Sequence, residues 1–255
     1  MIDSKVLSVV VGGEVPAGVA DLPVEPDRGG EGAQALRDAI LRHGLSKYNL
    51  QGTLPDLPPG HRILVPGQVE DDASIRLGTD AICTNLALLQ ETRARNPVAV
   101  ILYKPHPDVE AGLRPGAIAD DVALEYADAV LPRTDPARLL SQVQEVWTLT
   151  STLGFEALMR AVPVTTLGAP FYAGWGLTRD LGHVPERRTA RPSLNAFLYA
   201  ALIAYPRYFD PVSRLPCPPE VALERLAQGQ IKRAPALRLL AKLQGALASY
   251  PQLWR

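Results

Sequence analysis

Residues 148–180 read TLTSTLGFEALMRAVPVTTLGAPFYAGWGLTRD. Thr148 and Leu149 close an apolar run, Ser151 and Thr152 put hydroxyls at a turn, and Leu153–Ala161 carries a helical pattern. Val164–Thr166 reads as a further short strand, followed by the glycine-aromatic loop Gly168–Thr178. Strand, turn and helix in that order are one unit of a layered α/β domain. The turn is also suited to an anion, because the first amides of a helix lack intrahelical acceptors and the helix dipole adds positive potential there. Glu156, inside the first turns, is a carboxylate fit for ribose hydroxyls. The stretch predicts a nucleotide-sugar site on a parallel sheet.

The same alternation extends in both directions. Arg62–Pro66 reads as a buried strand, Ile75–Arg95 as a helix with Ala81, Ile82, Leu86 and Leu89 at helical spacing, and Val98–Tyr103 as a second strand. Helix–strand pairs follow at Val122–Ala127 with Ala129–Leu131, and at Pro136–Val143 with Glu145–Leu149. Further helices are expected over Ala33–His43, capped by Gly44, and over Ser193–Ala204, Pro219–Gln228 and Pro235–Ser249. Short strands alternating with helices imply right-handed crossovers and a doubly wound, Rossmann-like parallel sheet. Ligands of such sheets bind beyond the carboxyl ends of the strands. The loops Gly67–Ser74, Lys104–Gly112, Thr150–Gly154 and Gly168–Thr178 should therefore share one rim. Residues 1–32, with a strand candidate at Val6–Val11, form an irregular lead-in; 33–230 is the main domain, with a polar turn at Ser46–Gly52, and 231–255 is a terminal helical segment.

Composition narrows the class. A chain of 255 residues can bury a sizeable core, and a formal net charge of −1 gives no electrostatic argument for nucleic acid. The two cysteines, Cys83 and Cys217, are far apart and have no metal-ligand spacing, which fits a reducing compartment. The opening apolar run is too short for a signal peptide or a membrane span, so a cytoplasmic protein is expected.

The rim loops carry the candidate chemistry. Gly67–Ser74 holds Glu70, Asp71 and Asp72 between a strand and a helix, where one carboxylate could attack an anomeric carbon or simply favour the helix start. Asp72 is best placed if Asp71 faces outward, with Glu70 as its rival, a choice the residues alone leave open. In Lys104-Pro105-His106-Pro107 both prolines stiffen the turn, so His106 is aimed in a defined direction to donate to a phosphate oxygen, with Lys104 adding charge. Ser151 and Thr152 serve as phosphate contacts or as a plain helix cap. Gly154 is expected to allow a ligand close approach. Gln68, and Tyr172, Gly174 and Trp175 on the aromatic loop, are the expected sugar or base contacts; packing against the core is the plainer alternative for that loop. Arg187, Arg188 and Arg191 are a solvated cluster or an anionic-acceptor site, and His43, His61 and His183 are read as structural. The carboxylates lie in one short loop without a second ligand set, so no metal is expected.

These residues also carry a resemblance. SKYN (46–49), VPGQVEDDAS (65–74), YKPHPDVEAGLRPG (103–116), TSTLGFEAL (150–158), PVTTLGAPFYAGWGLTRD (163–180) and PRYFDP (206–211) resemble the bacterial capsule polysaccharide biosynthesis/export family, typified by KpsC/LpsZ-type β-Kdo transferases. The likeness runs from about residue 33 to 228. It implies a GT-B-like fold, CMP-Kdo as donor substrate with no cofactor, and transfer to a lipid-linked glycan with retention. It places His106 and Pro107 in an HP motif shared with CMP-sugar enzymes, Ser151, Thr152 and Glu156 at phosphate and ribose contacts, and Asp72 as the nucleophile. Only 64 residues precede the acidic motif, so the amino-terminal half-domain of a GT-B enzyme is expected to be reduced. The alternative is a non-catalytic or partner-dependent capsule-assembly module that binds CMP-sugar only. Other capsule-assembly proteins or a separate amino-terminal module are the implied partners, and association with the membrane is peripheral at most; Lys232, Arg233, Arg238 and Lys242 of the terminal helix are the weak candidates for it.

Overall fold

A computed structural model describes residues 30–46 and 54–229. The strand candidate Val6–Val11, most of the Ser46–Gly52 turn and the terminal helix Pro235–Ser249 lie outside the described residues.

Six parallel strands form the centre of the molecule. They are β1 (Arg62–Pro66), β2 (Val100–Lys104), β3 (Ala129–Val130), β4 (Glu145–Thr148), β5 (Val164–Thr166) and β6 (Arg179–Asp180), in the spatial order β3-β2-β1-β4-β5-β6. The short apolar runs become strands because both faces of a doubly wound sheet are covered. Side chains alternate between the faces. Leu64, Leu102, Val146 and Val164 enter one core, while Ile63, Val65, Ile101, Tyr103 and Trp147 enter the other.

The first core is closed by α1 (Gly30–Arg42), α6 (Pro136–Leu140), α7 (Thr152–Met159) and α8 (Leu194–Tyr199), and the second by α2 (Ala73–Gly78), α3 (Asn85–Arg95) and α5 (Asp120–Leu124). The short helix α4 (Pro107–Glu110) follows β2. A hairpin of β7 (Tyr208–Phe209) and β8 (Pro216–Cys217) leads into α9 (Pro219–Ala227). Gly44 does take the left-handed conformation after α1, with φ 59°.

Three expectations about elements change. The helix expected over Ile75–Arg95 is two helices, because Thr79 is extended (φ −134°, ψ 160°) and Thr84 starts α3 afresh by accepting from the Ala87 N–H at 3.2 Å. Ala81 and Ile82 lie in the link between them, so their helical spacing is incidental. The helix over Ser193–Ala204 widens into a π turn at Ala200–Ala204. Arg179–Asp180, read as loop, pairs in parallel with Thr165 and Thr166 and extends the sheet by one strand.

Candidate functional site

The strand order reverses between β1 and β4, the switch point beyond whose carboxyl ends doubly wound sheets bind ligands. One side chain ties the ends of these two strands together. Gln68, just after β1, is buried; its Oε1 accepts from the Thr150 N–H (3.0 Å) and the Thr148 hydroxyl (3.2 Å), and its Nε2 donates to Thr150 Oγ1 (2.8 Å). Its main-chain N–H donates to Asn85 Oδ1 at 2.8 Å. Expected as a substrate contact, Gln68 has its amide engaged by the protein and ties the end of β1 to the turn after β4. The Gly67 N–H donates to Lys104 O at 2.7 Å, which fastens the end of β2 to the same rim.

The three carboxylates of the acidic loop have three different neighbours. Glu70 Oε1 accepts from the Asn85 N–H at 2.7 Å and so fixes the start of α3. Asp71 Oδ1 accepts from Arg114 Nη2 at 2.6 Å, on the exposed side of the loop. Asp72, also exposed, caps α2, with Oδ1 accepting from the Ser74 N–H at 2.8 Å. Thr150 Oγ1 lies 3.2 Å from Ser74 Oγ, so Asp72 is joined through Ser74 to the turn before α7. Asp71 is paired outward with Arg114, and Asp72 is exposed as well, so exposure does not separate the two carboxylates.

His106 caps α4, and Pro107 occupies the first helical position. The His106 Nδ1 accepts from the Asp108 N–H at 3.2 Å, which assigns the ring proton of the neutral form to Nε2 and makes that nitrogen a donor. Lys104 is 5% exposed, and its Nζ donates to Pro105 O at 3.3 Å. Burial lowers its pKa against the opposing pull of Glu110 and Asp135. β1 separates this pair from α7, so with strands about 4.8 Å apart the ends of β2 and β4 stand about 10 Å from each other, the span of a small phosphorylated ligand.

At the start of α7, Ser151 Oγ accepts from the Leu153 N–H (3.2 Å), and Thr152 is the first helical residue. The expectation for Gly154 is corrected: a Cβ there would lie 2.8 Å from the Tyr172 Cζ, so the glycine admits a tyrosine ring rather than a ligand. Tyr172 and Trp175 are corrected as stacking surfaces, since they are 0% and 7% exposed and pack among Phe155, Phe171 and Phe197. Gly174, at φ 84°, is likewise structural, donating its N–H to Asp180 Oδ2 at 2.8 Å. Glu156, the carboxylate assigned to ribose, is buried at 4% exposure, with Oε2 4.0 Å from Arg160 Nη1.

Asn85 and Asp180, which help organise the rim, were not singled out from the sequence. Asn85 donates through Nδ2 to Gln68 O and Gly116 O, both at 2.8 Å. Asp180 accepts from the Thr178 hydroxyl (2.6 Å) and the Thr166 hydroxyl (3.0 Å). Arg188 donates to Pro170 O (2.7 Å) and Ala173 O (2.9 Å) and lies over the Trp175 ring, while Arg191 donates to Gly174 O (3.1 Å). Two of the three arginines read as a surface cluster are thus staples of the aromatic loop. A polar residue within an apolar helix pattern, as at Asn85, was the available signal. Among the described residues no group of three or more metal-ligating side chains occurs, and no helix is long and apolar enough to cross a membrane.

Comparison with known proteins agrees with this geometry. The sequence profile of a family described as capsule polysaccharide biosynthesis protein matches residues 58–208. The capsule polysaccharide modification protein LipA of Neisseria meningitidis serogroup A is 47% identical over 181 residues, which are 70% of this chain and 26% of that protein. The lipopolysaccharide-processing protein LpsZ of Rhizobium meliloti is 46% identical over 187 residues, 70% of this chain and 41% of that one. The chain therefore spans well under half the length of these relatives. Among solved structures, the Thermosulfurimonas dismutans KpsC β-Kdo 2,7 transferase superposes with a TM-score of 0.67 at 36% identity, covering 79% of this chain and 62% of that one. The β-Kdo 2,4 transferase of the same organism gives 0.68 at 32% identity, covering 85% and 64%.

Proposed function

Because this chain belongs to the capsule polysaccharide biosynthesis protein family, we propose that its rim binds CMP-Kdo and transfers the sugar to a lipid-linked glycan with retention of configuration. The observation that carries this reading is the switch point between β1 and β4, where the acidic loop and the start of α7 are joined through Gln68 and Thr150. Kdo transferases at 32–36% identity support the choice of sugar.

In this reading the amides at the start of α7 and the His106 Nε2–H take the donor phosphate, while Lys104 contributes buried positive charge. The Asp72 carboxylate attacks the anomeric carbon, the bond from that carbon to the CMP phosphate oxygen breaks, and CMP leaves. An acceptor hydroxyl then attacks the glycosyl ester, losing its proton and restoring the carboxylate; two inversions give retention. A lipid-linked acceptor is met at a membrane surface by peripheral association.

One observation favours a second reading, a module that binds CMP-sugar without turnover: each carboxylate of the acidic loop already holds a structural bond. Incubation with CMP-Kdo and a Kdo-bearing glycolipid, following CMP release and product mass, decides between them. A product heavier by one Kdo supports transfer, and CMP binding without release supports the binding module. Absence of CMP-Kdo binding would overturn both.

A further inference from the structure

We infer that Tyr172 is a positioning residue of the donor-phosphate site, acting through the backbone of the turn between β4 and α7; this rests on the reading proposed above. The Tyr172 hydroxyl donates to the Ser151 carbonyl at 2.5 Å, a bond that joins residues 21 apart in the sequence. Burial and the nearby Asp180 raise its pKa well above the ordinary value of 10.0, so the phenol stays protonated and remains a donor. The same carbonyl accepts from the Gly154 N–H at 3.1 Å.

A trans peptide group is planar, and its C=O and N–H point in opposite directions. A Ser151 carbonyl drawn inward to the phenol therefore turns the Thr152 N–H outward, toward the rim. Thr152 is the first residue of α7, so that N–H has no acceptor within the helix and is available to an anion. Tyr172 thus sets the direction of a phosphate-facing donor without touching the phosphate.

The surroundings keep the phenol in place. Gly154 leaves room for it at a helix-interior position where glycine weakens the helix, and a Cβ there would also lie 3.2 Å from Thr148 Cγ2. The loop carrying Tyr172 is held from behind by Asp180 through Gly174 and by Arg188 through Pro170 and Ala173. Packing alone would need only the ring, which phenylalanine supplies. The hydroxyl is the part that reaches the turn.

Calorimetric titration of the full chain with CMP and with cytidine separates the phosphate contribution from that of the nucleoside. Wild type is expected to bind CMP more tightly than cytidine. Tyr172→Phe should weaken CMP about five-fold, the size of one neutral hydrogen bond, while cytidine affinity stays essentially unchanged and the thermal midpoint falls by only about 2–4 °C. Gly154→Ala, which pushes the ring aside, should show the same selective loss. An equal loss for both ligands, or none for either, overturns the inference and leaves Tyr172 as packing. A wild type that does not distinguish CMP from cytidine overturns the donor reading itself, an outcome visible before any variant is made.

Discussion

The acidic loop Gly67–Ser74 and the aromatic loop Gly168–Thr178 leave the same edge of the same parallel sheet, yet they do opposite work. Asp71, Asp72 and Ser74 are exposed, and their side chains bond to other rim residues. Tyr172, Ala173, Gly174 and Trp175 are buried, and the loop is stapled through its carbonyls and amides. Large aromatic rings gain more from leaving water than glycine loses in order, so the loop that looks most like a stacking surface is drawn into the core. Loop composition at a sheet edge therefore does not tell a ligand contact from a brace; what packs behind the loop does.

Asp72→Asn should cut Kdo transfer by on the order of 10⁴-fold while leaving the unfolding midpoint and CMP affinity nearly unchanged, because asparagine caps a helix as well as aspartate. Equal turnover by that variant would remove Asp72 from the chemistry, and loss on Glu70→Gln alone would move the role to its rival. On the aromatic side, Trp175→Ala should cost about 3–5 kcal/mol of stability in urea denaturation. A cost below about 1 kcal/mol would mean the loop is not part of the core, and the contrast between the two loops would fail.

Smaller effects sharpen the contrast. His106→Ala should weaken CMP binding by about 1.5–3 kcal/mol, the worth of a hydrogen bond to a charged group, and unchanged affinity would make His106 a cap only. Arg114→Ala breaks the Asp71 pair, whose side chains are 35% and 53% exposed, and should change stability by less than about 1 kcal/mol. A larger loss there would show that the acidic loop, too, is mainly a brace.

Much of the architecture was legible in short patterns. β1 and β5 fall on the expected residues, and the four rim loops do leave the carboxyl ends of parallel strands. Two helix starts were carried by Ser151 and Asp72, whose side chains accept from the N–H two residues on, and a third by Pro136, whose fixed φ suits the first helical position. Arg179–Asp180 was not legible as a strand, because two residues have no period and its pairing partners lie 14 residues upstream.

The sequence by itself determined the doubly wound sheet and the acidic and His-Pro loops at the carboxyl ends of its strands, since apolar runs, caps and fixed proline angles are local causes. Only the tertiary structure decided that Tyr172 and Trp175 face inward, that Gly154 serves a phenol, that Glu156 is buried and that Gln68 ties β1 to the turn after β4. Each of those outcomes depends on a partner distant in the chain, such as Thr150 for Gln68 or Phe197 for Trp175, and burial against a distant partner leaves no local periodicity to read.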